Sequence, residues 1–168
     1  MKVRLFFLVA FMSIFVSTTM AQVDVFFYDN SGSPTNIRNA PNGKIVETVP
    51  AGSDGMMIVE TPKNGWWVIC DNSFYQPDGG LYKLTGASNY YIHYSCIGVS
   101  TTNYGGQTLR LRSTPSKKGT VVYSFKEELI LHPIDERNGW VKVKTSNGKY
   151  QGWIEKQWLC GNSVSNCN

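Results

Sequence analysis

Downstream of residue 21, apolar and polar positions alternate in short runs, and no stretch keeps a helical period with caps. Thr108 to Arg112 sets Leu109 and Leu111 against Arg110 and Arg112, the period-two signature of a strand with one buried face. After Gly139 the same alternation puts Val141 and Val143 on one face and Trp140, Lys142 and Lys144 on the other. In Trp66 to Ile69 it turns Trp67 and Ile69 inward and leaves Trp66 outward with Val68. Three Asn-Gly pairs, Asn64-Gly65, Asn138-Gly139 and Asn147-Gly148, adjoin apolar runs, where a tight hairpin needs the positive φ that these residues tolerate. The apolar region from Val121 to Ile134 is rich in β-branched and aromatic residues and contains Pro133, which favours strands over a helix. The pattern predicts an all-β chain.

The same pattern occurs twice. An offset of 74 carries Val25 to Val99, Ile37 to Leu111, Arg38 to Arg112, Pro41 to Pro115 and Asn64-Gly65-Trp66 to Asn138-Gly139-Trp140. The ends align at an offset of 62, Tyr91-Ile92 with Trp153-Ile154, so the first copy holds about twelve extra residues, placed within Cys70 to Ser88. Two units of about 70 residues with short strands must close to hide their edges and apolar faces, which predicts two tandem small barrels, 22–98 with an insert around 71–88 and 99–168. Cys96 to Val99 ends one copy and opens the next without a Gly-, Ser- or Pro-rich linker, so the tandem is expected to be rigid.

The N-terminus changes the compartment. Lys2 and Arg4 precede an apolar run from Leu5 to Val16 and then Thr19-Met20-Ala21, the layout of a signal peptide spanning 1–21. Twelve helical residues rise about 18 Å against a hydrocarbon core of roughly 30 Å, so no membrane span is expected in the mature chain. The product is expected to be extracytoplasmic, periplasmic or secreted. Its four cysteines, Cys70, Cys96, Cys160 and Cys167, form no Cys-x-x-Cys pair and are expected to be disulfide-bonded. Of three connectivities, Cys70–Cys96 with Cys160–Cys167 keeps each bridge local. His93 beside Cys96 is a weak zinc signal, and no metal or cofactor is expected.

Leu109-Arg-Leu-Arg-Ser-Thr-Pro115, Asn138-Gly-Trp-Val-Lys-Val143, Gly152-Trp-Ile154 and the closing Trp158-Leu159 resemble a bacterial SH3-like domain. The first copy is similar but looser: Asn36-Ile-Arg-Asn-Ala-Pro41 and Asn64-Gly-Trp-Trp-Val-Ile69 are present, while Asn89-Tyr-Tyr-Ile92 stands in place of Gly-Trp-Ile. The resemblance implies small five-stranded barrels that work outside the cytoplasm as targeting or binding modules, on peptidoglycan or on proteins near the cell wall.

Candidate ligand-binding residues follow from both readings. Trp140, on one face with Lys142 and Lys144, is a stacking platform or a packed rim aromatic. Trp66 resembles the first Trp of the eukaryotic SH3 Trp-Trp pair, which lines the peptide groove. Tyr75 lies in an insert that is either a recognition loop or a hairpin burying its own rings. Residues 22–98 carry 4 Lys/Arg and 7 Asp/Glu, whereas 99–168 carry 10 and 5, so the basic surface belongs to the second unit. The whole chain, at +4, lacks the dense basic footprint of a nucleic-acid binder. Two histidines and four cysteines assigned to bridges leave no Cys-His nucleophile, and Glu127-Glu128 would point to opposite faces of a strand rather than flank a cleft. The sequence therefore predicts a non-catalytic, cell-envelope binding module with peptidoglycan as partner; the alternative is a protein-protein interaction module for an extracytoplasmic protein or peptide.

Overall fold

The computed structural model describes residues 22–162, so the expected signal peptide and Cys167 lie outside the described residues. Fifteen strands form one hydrogen-bonded, antiparallel sheet. They are β1 Gln22–Phe27, β2 Thr35–Arg38, β3 Ile45–Val49, β4 Met56–Lys63, β5 Trp66–Ile69, β6 Ser73–Tyr75, β7 Leu81–Lys83 and β8 Tyr91–His93, followed by β9 Ile97–Thr101, β10 Leu109–Arg112, β11 Val121–Phe125, β12 Ile130–Arg137, β13 Trp140–Thr145, β14 Gln151–Glu155 and β15 Leu159–Cys160. The helical segments among the described residues are single 3-10 turns at Cys70–Asn72, Tyr94–Cys96 and Lys156–Trp158.

Alternation and burial agree in β5, β10 and β13. Leu109 and Leu111 are buried in β10, Val141 and Val143 in β13, and Trp67 and Ile69 in β5, while Trp66, Trp140, Lys142 and Lys144 are half-exposed. Asn64-Gly65 and Asn138-Gly139 join β4 to β5 and β12 to β13 with positive φ at both residues, as a two-residue turn of the primed type requires. Asn147-Gly148 departs from this: φ is positive at Gly148, and Thr145 N–H donates to Tyr150 O at 2.9 Å across a longer loop in which the Asn147 carboxamide accepts from Thr145 Oγ1.

One order of ladders occurs twice. In the first half β1 pairs β4, β4 pairs β5, β5 pairs β8, β8 pairs β2 and β2 pairs β3. In the second, β9, β12, β13, β14, β10 and β11 pair in the same succession. The two sets of ladders join in one hydrogen-bonded path through β9, the strand that contains both residue 98 and residue 99. β9 pairs β1 at Phe26↔Gly98 and Phe27↔Ile97, and also pairs β12 and β15. Gly98 is required there, because a Cβ would come within 2.8 Å of Tyr28 Cβ and 2.9 Å of Ile130 Cγ2, one from each half. Trp67 Nε1 donates to Pro133 O at 2.9 Å across the same junction. The insert is a hairpin, β6–β7, attached to the first half at Met56↔Tyr75.

Candidate functional site

The turn at Asn138-Gly139 delivers Trp140 as the first residue of β13, across from Glu155 on β14 and Arg137 on β12. Its ring forms one wall of a groove of about 280 Å³ whose other walls include Trp158, Arg110, Arg112 and Glu155. The apolar base comes from Leu109 and Ile154, both nearly inaccessible. Arg112 is not free to swing, since its Nη1 donates to Gly119 O at 2.9 Å and pins the guanidinium to the β10–β11 turn. Glu155 faces Lys117 at 3.4 Å. The groove thus combines two indoles with two guanidinium groups, a lining that can stack on planar or ring-shaped ligands and hydrogen-bond an anion with paired N–H donors. Lys142 and Lys144 share a face with Trp140 but do not line the groove; they sit along β13 opposite Trp153 and Gln151 of β14.

Trp66 holds the corresponding place in the first half, yet its environment differs. The residue across from it is His93, whose ring centroid lies 5.1 Å away, and the Arg38 guanidinium carbon lies 5.9 Å from the indole centroid. Trp66 is therefore packed between two side chains. Tyr75 is 51 % exposed on the outer face of the β6–β7 hairpin, in a shallow groove of about 290 Å³ with Ile58 and Leu81. The opposite face of that hairpin carries Phe74, buried and edge-on to Phe27, stacked on Tyr82 at 4.9 Å. Phe74 and Tyr82 line a third groove, about 350 Å³, with Glu47, Pro50, Asp54 and Pro77. This groove escaped sequence reasoning, although alternation through Phe74-Tyr75 already places the two rings on opposite faces. Trp158, Arg110 and Arg112 were missed for another reason: only the β10–β14 and β13–β14 pairings bring them to Trp140.

The residues lining the Trp140 groove all fall within a segment, 107–159, that matches the family model described as a bacterial SH3 domain. No curated protein sequence matches the chain. Two solved structures, NlpC1 and NlpC2 from Trichomonas vaginalis, are similar at 13% identity over 90% and 88% of this chain, with TM-scores of 0.31 and 0.33. The chain spans about half the length of each, 51%. Among the described residues, no helix is long and apolar enough to cross a membrane.

The cysteines require a correction. Cys70 and Cys96 are free thiols, not a disulfide. β5 and β8 run antiparallel, with Trp66 opposite His93 and Val68 opposite Tyr91, so Cys70 and Cys96 leave their strands at opposite ends. Cys70 Sγ accepts from Gln22 Nε2 at the start of β1 and Cys96 O accepts from Tyr28 N–H just past its end, so six residues of chain, on the order of 20 Å, separate them, whereas a bridge needs Cα atoms within about 7 Å. Burial, then the Glu60 carboxylate, pushes the Cys70 thiol up to about 12. Burial, then Asp29, pushes Cys96 up to about 11. Cys160 is buried in β15, and its expected partner Cys167 lies outside the described residues. His93 turns Nδ1 to Ser95 Oγ at 2.8 Å, and burial followed by the nearby His132 holds its pKa below the usual histidine range. His132 Nδ1 is 2.8 Å from Ile97 O at the junction of the halves.

Proposed function

We propose that the protein is an exported, non-catalytic module that attaches to the cell envelope by binding peptidoglycan in the Trp140 groove of its SH3 domain. The observation that carries this reading is the position of that groove: it lies wholly inside the family segment and sets Trp140 and Trp158 beside Arg110 and Arg112. Indole faces stack on the apolar faces of sugar rings, and guanidinium groups pair with the carboxylates that a peptide-bearing glycan carries. Residues 22–98 are a second SH3-like module in this reading, supported by the repeated order of ladders, with β9 common to both.

Non-catalytic action is supported by the thiols. A cysteine nucleophile must be a thiolate near neutral pH, and both described free cysteines are held firmly in the thiol form. The test is co-sedimentation of the intact mature chain with purified sacculi across a salt series. Binding that weakens with salt, without release of muropeptides, is expected; a protein left in the supernatant at low salt, or one that solubilises the sacculi, refutes the proposal.

A further inference from the structure

We propose that the β6–β7 hairpin is a second, independent binding site, which takes an extended peptide of a protein partner carrying a basic residue between apolar ones. β7 pairs only with β6 among the described residues, and Leu81, Tyr82 and Lys83 are all exposed. Gln76 N–H donates to Gly80 O and Leu84 N–H donates to Asn72 O. In an antiparallel ladder the mutually bonded pairs recur every second residue, so Phe74 and Tyr82 belong to that set and the intervening Leu81 and Lys83 turn their N–H and C=O groups outward. Leu81 and Lys83 thus present an unpaired main-chain edge that another strand can complete.

The two faces of β7 determine what that strand must carry, because successive side chains of an added strand fall on opposite faces. On the Tyr82 face lies the groove of about 350 Å³, walled by Phe74, Tyr82 and two prolines and containing Glu47 and Asp54 without any Lys or Arg. Glu47 accepts from Tyr82 Oη at 2.7 Å, while exposed Asp54 has no hydrogen bond or ion pair among the described residues. Uncompensated carboxylates beside aromatic faces suit an ammonium or guanidinium group. On the other face Leu81 and Tyr75, about half exposed, and Ile58, 41% exposed, form an apolar strip that ends at exposed Lys83. The occupant is therefore a strand with one basic side chain entering the Glu47 groove and apolar neighbours lying on Leu81 and Tyr75.

The experiment measures anisotropy of a dye-labelled, end-blocked peptide, Thr-Ile-Lys-Ile-Lys-Val-Thr, added to the intact mature chain, against a peptide of the same composition with adjacent lysines and one with Glu replacing Lys. The alternating basic peptide is expected to bind best and to slow amide exchange at Leu81 and Lys83. Lys83→Pro, which removes an outward N–H that β6 does not use, is expected to weaken it about fivefold. Glu47→Gln leaves the edge intact and is expected to weaken it by a similar factor, whereas Trp140→Ala leaves it unchanged. Equal binding of all three peptides, indifference to both hairpin variants, or loss on Trp140→Ala overturns the proposal. So does a dimer in sedimentation velocity that Lys83→Pro abolishes, since the edge would then serve a second copy of this chain.

Discussion

Replacing Trp67 by Phe tests whether the two halves are one energetic unit. The Trp67 side chain is fully buried in the first half, and its indole N–H is bonded to Pro133 O in the second at 2.9 Å. Phenylalanine keeps the apolar contact of a ring but leaves that buried carbonyl without this donor, which costs about 1–3 kcal/mol. Roughly 40 Å³ of missing ring, at about 24 cal/mol per Å³ of unfilled cavity, adds about 1 kcal/mol. The total of about 2–4 kcal/mol is a sizeable share of the stability of about 5–15 kcal/mol usual for domains. With a urea m-value of about 2 kcal/mol/M, the midpoint should fall by about 1–2 M. Unfolding should be followed by tryptophan fluorescence and far-UV circular dichroism together. One transition, displaced equally in both signals, is expected, because β9 and the Trp67 bond make neither half independent. A displacement under about 0.5 M, or a split into two transitions of which one is unmoved, refutes the coupling.

Two further outcomes follow from side-chain ionisation and thiol chemistry. His93 is held neutral by burial and by His132, so the unfolded chain takes up its proton at higher pH than the folded one; stability attributable to His93 is complete above roughly pH 7 and declines as the pH falls through its lowered folded pKa. Denaturation midpoints between pH 7.5 and 5 should show this loss, and His93→Gln should flatten the profile; an unchanged slope contradicts it. Cys70 and Cys96, with thiols near 12 and 11, should resist iodoacetamide in the native protein at pH 8 and alkylate fully in denaturant without reductant, as read by peptide mass mapping. Failure to alkylate in denaturant would restore the Cys70–Cys96 bridge.

What was legible in the sequence was local. Alternation within one strand determines which residues share a face, so Trp67, Val141, Val143, Leu109 and Leu111 are buried and Trp66, Trp140 and Lys142 face outward as their spacing requires. Asn-Gly turns are equally local, and Asn64-Gly65 and Asn138-Gly139 behave as tight hairpins; Asn147-Gly148 does not, because Thr145 and Tyr150 close a wider loop around the Asn147 side chain. Strand direction and pairing are not local. The proximity of Cys70 and Cys96 in sequence says nothing about their leaving an antiparallel pair at opposite ends. The same limit hid the company of Trp140: Lys142 and Lys144 share its face but extend along the strand, while Trp158 and Arg110 arrive from strands and turns far away in sequence. At Trp66, the change from Glu155 to His93 across the ladder replaces an open wall with a packed ring.

The most direct test of the envelope-binding account compares Trp140→Ala and Trp66→Ala in quantitative sedimentation of the intact mature chain with purified sacculi. Trp140 lines the open groove, whereas Trp66 is packed on His93 and Arg38. The account predicts at least about a tenfold weaker association for Trp140→Ala, as expected when a central aromatic anchor is lost, and wild-type association for a folded Trp66→Ala. Full binding by Trp140→Ala, or equal loss in both folded variants, would contradict it.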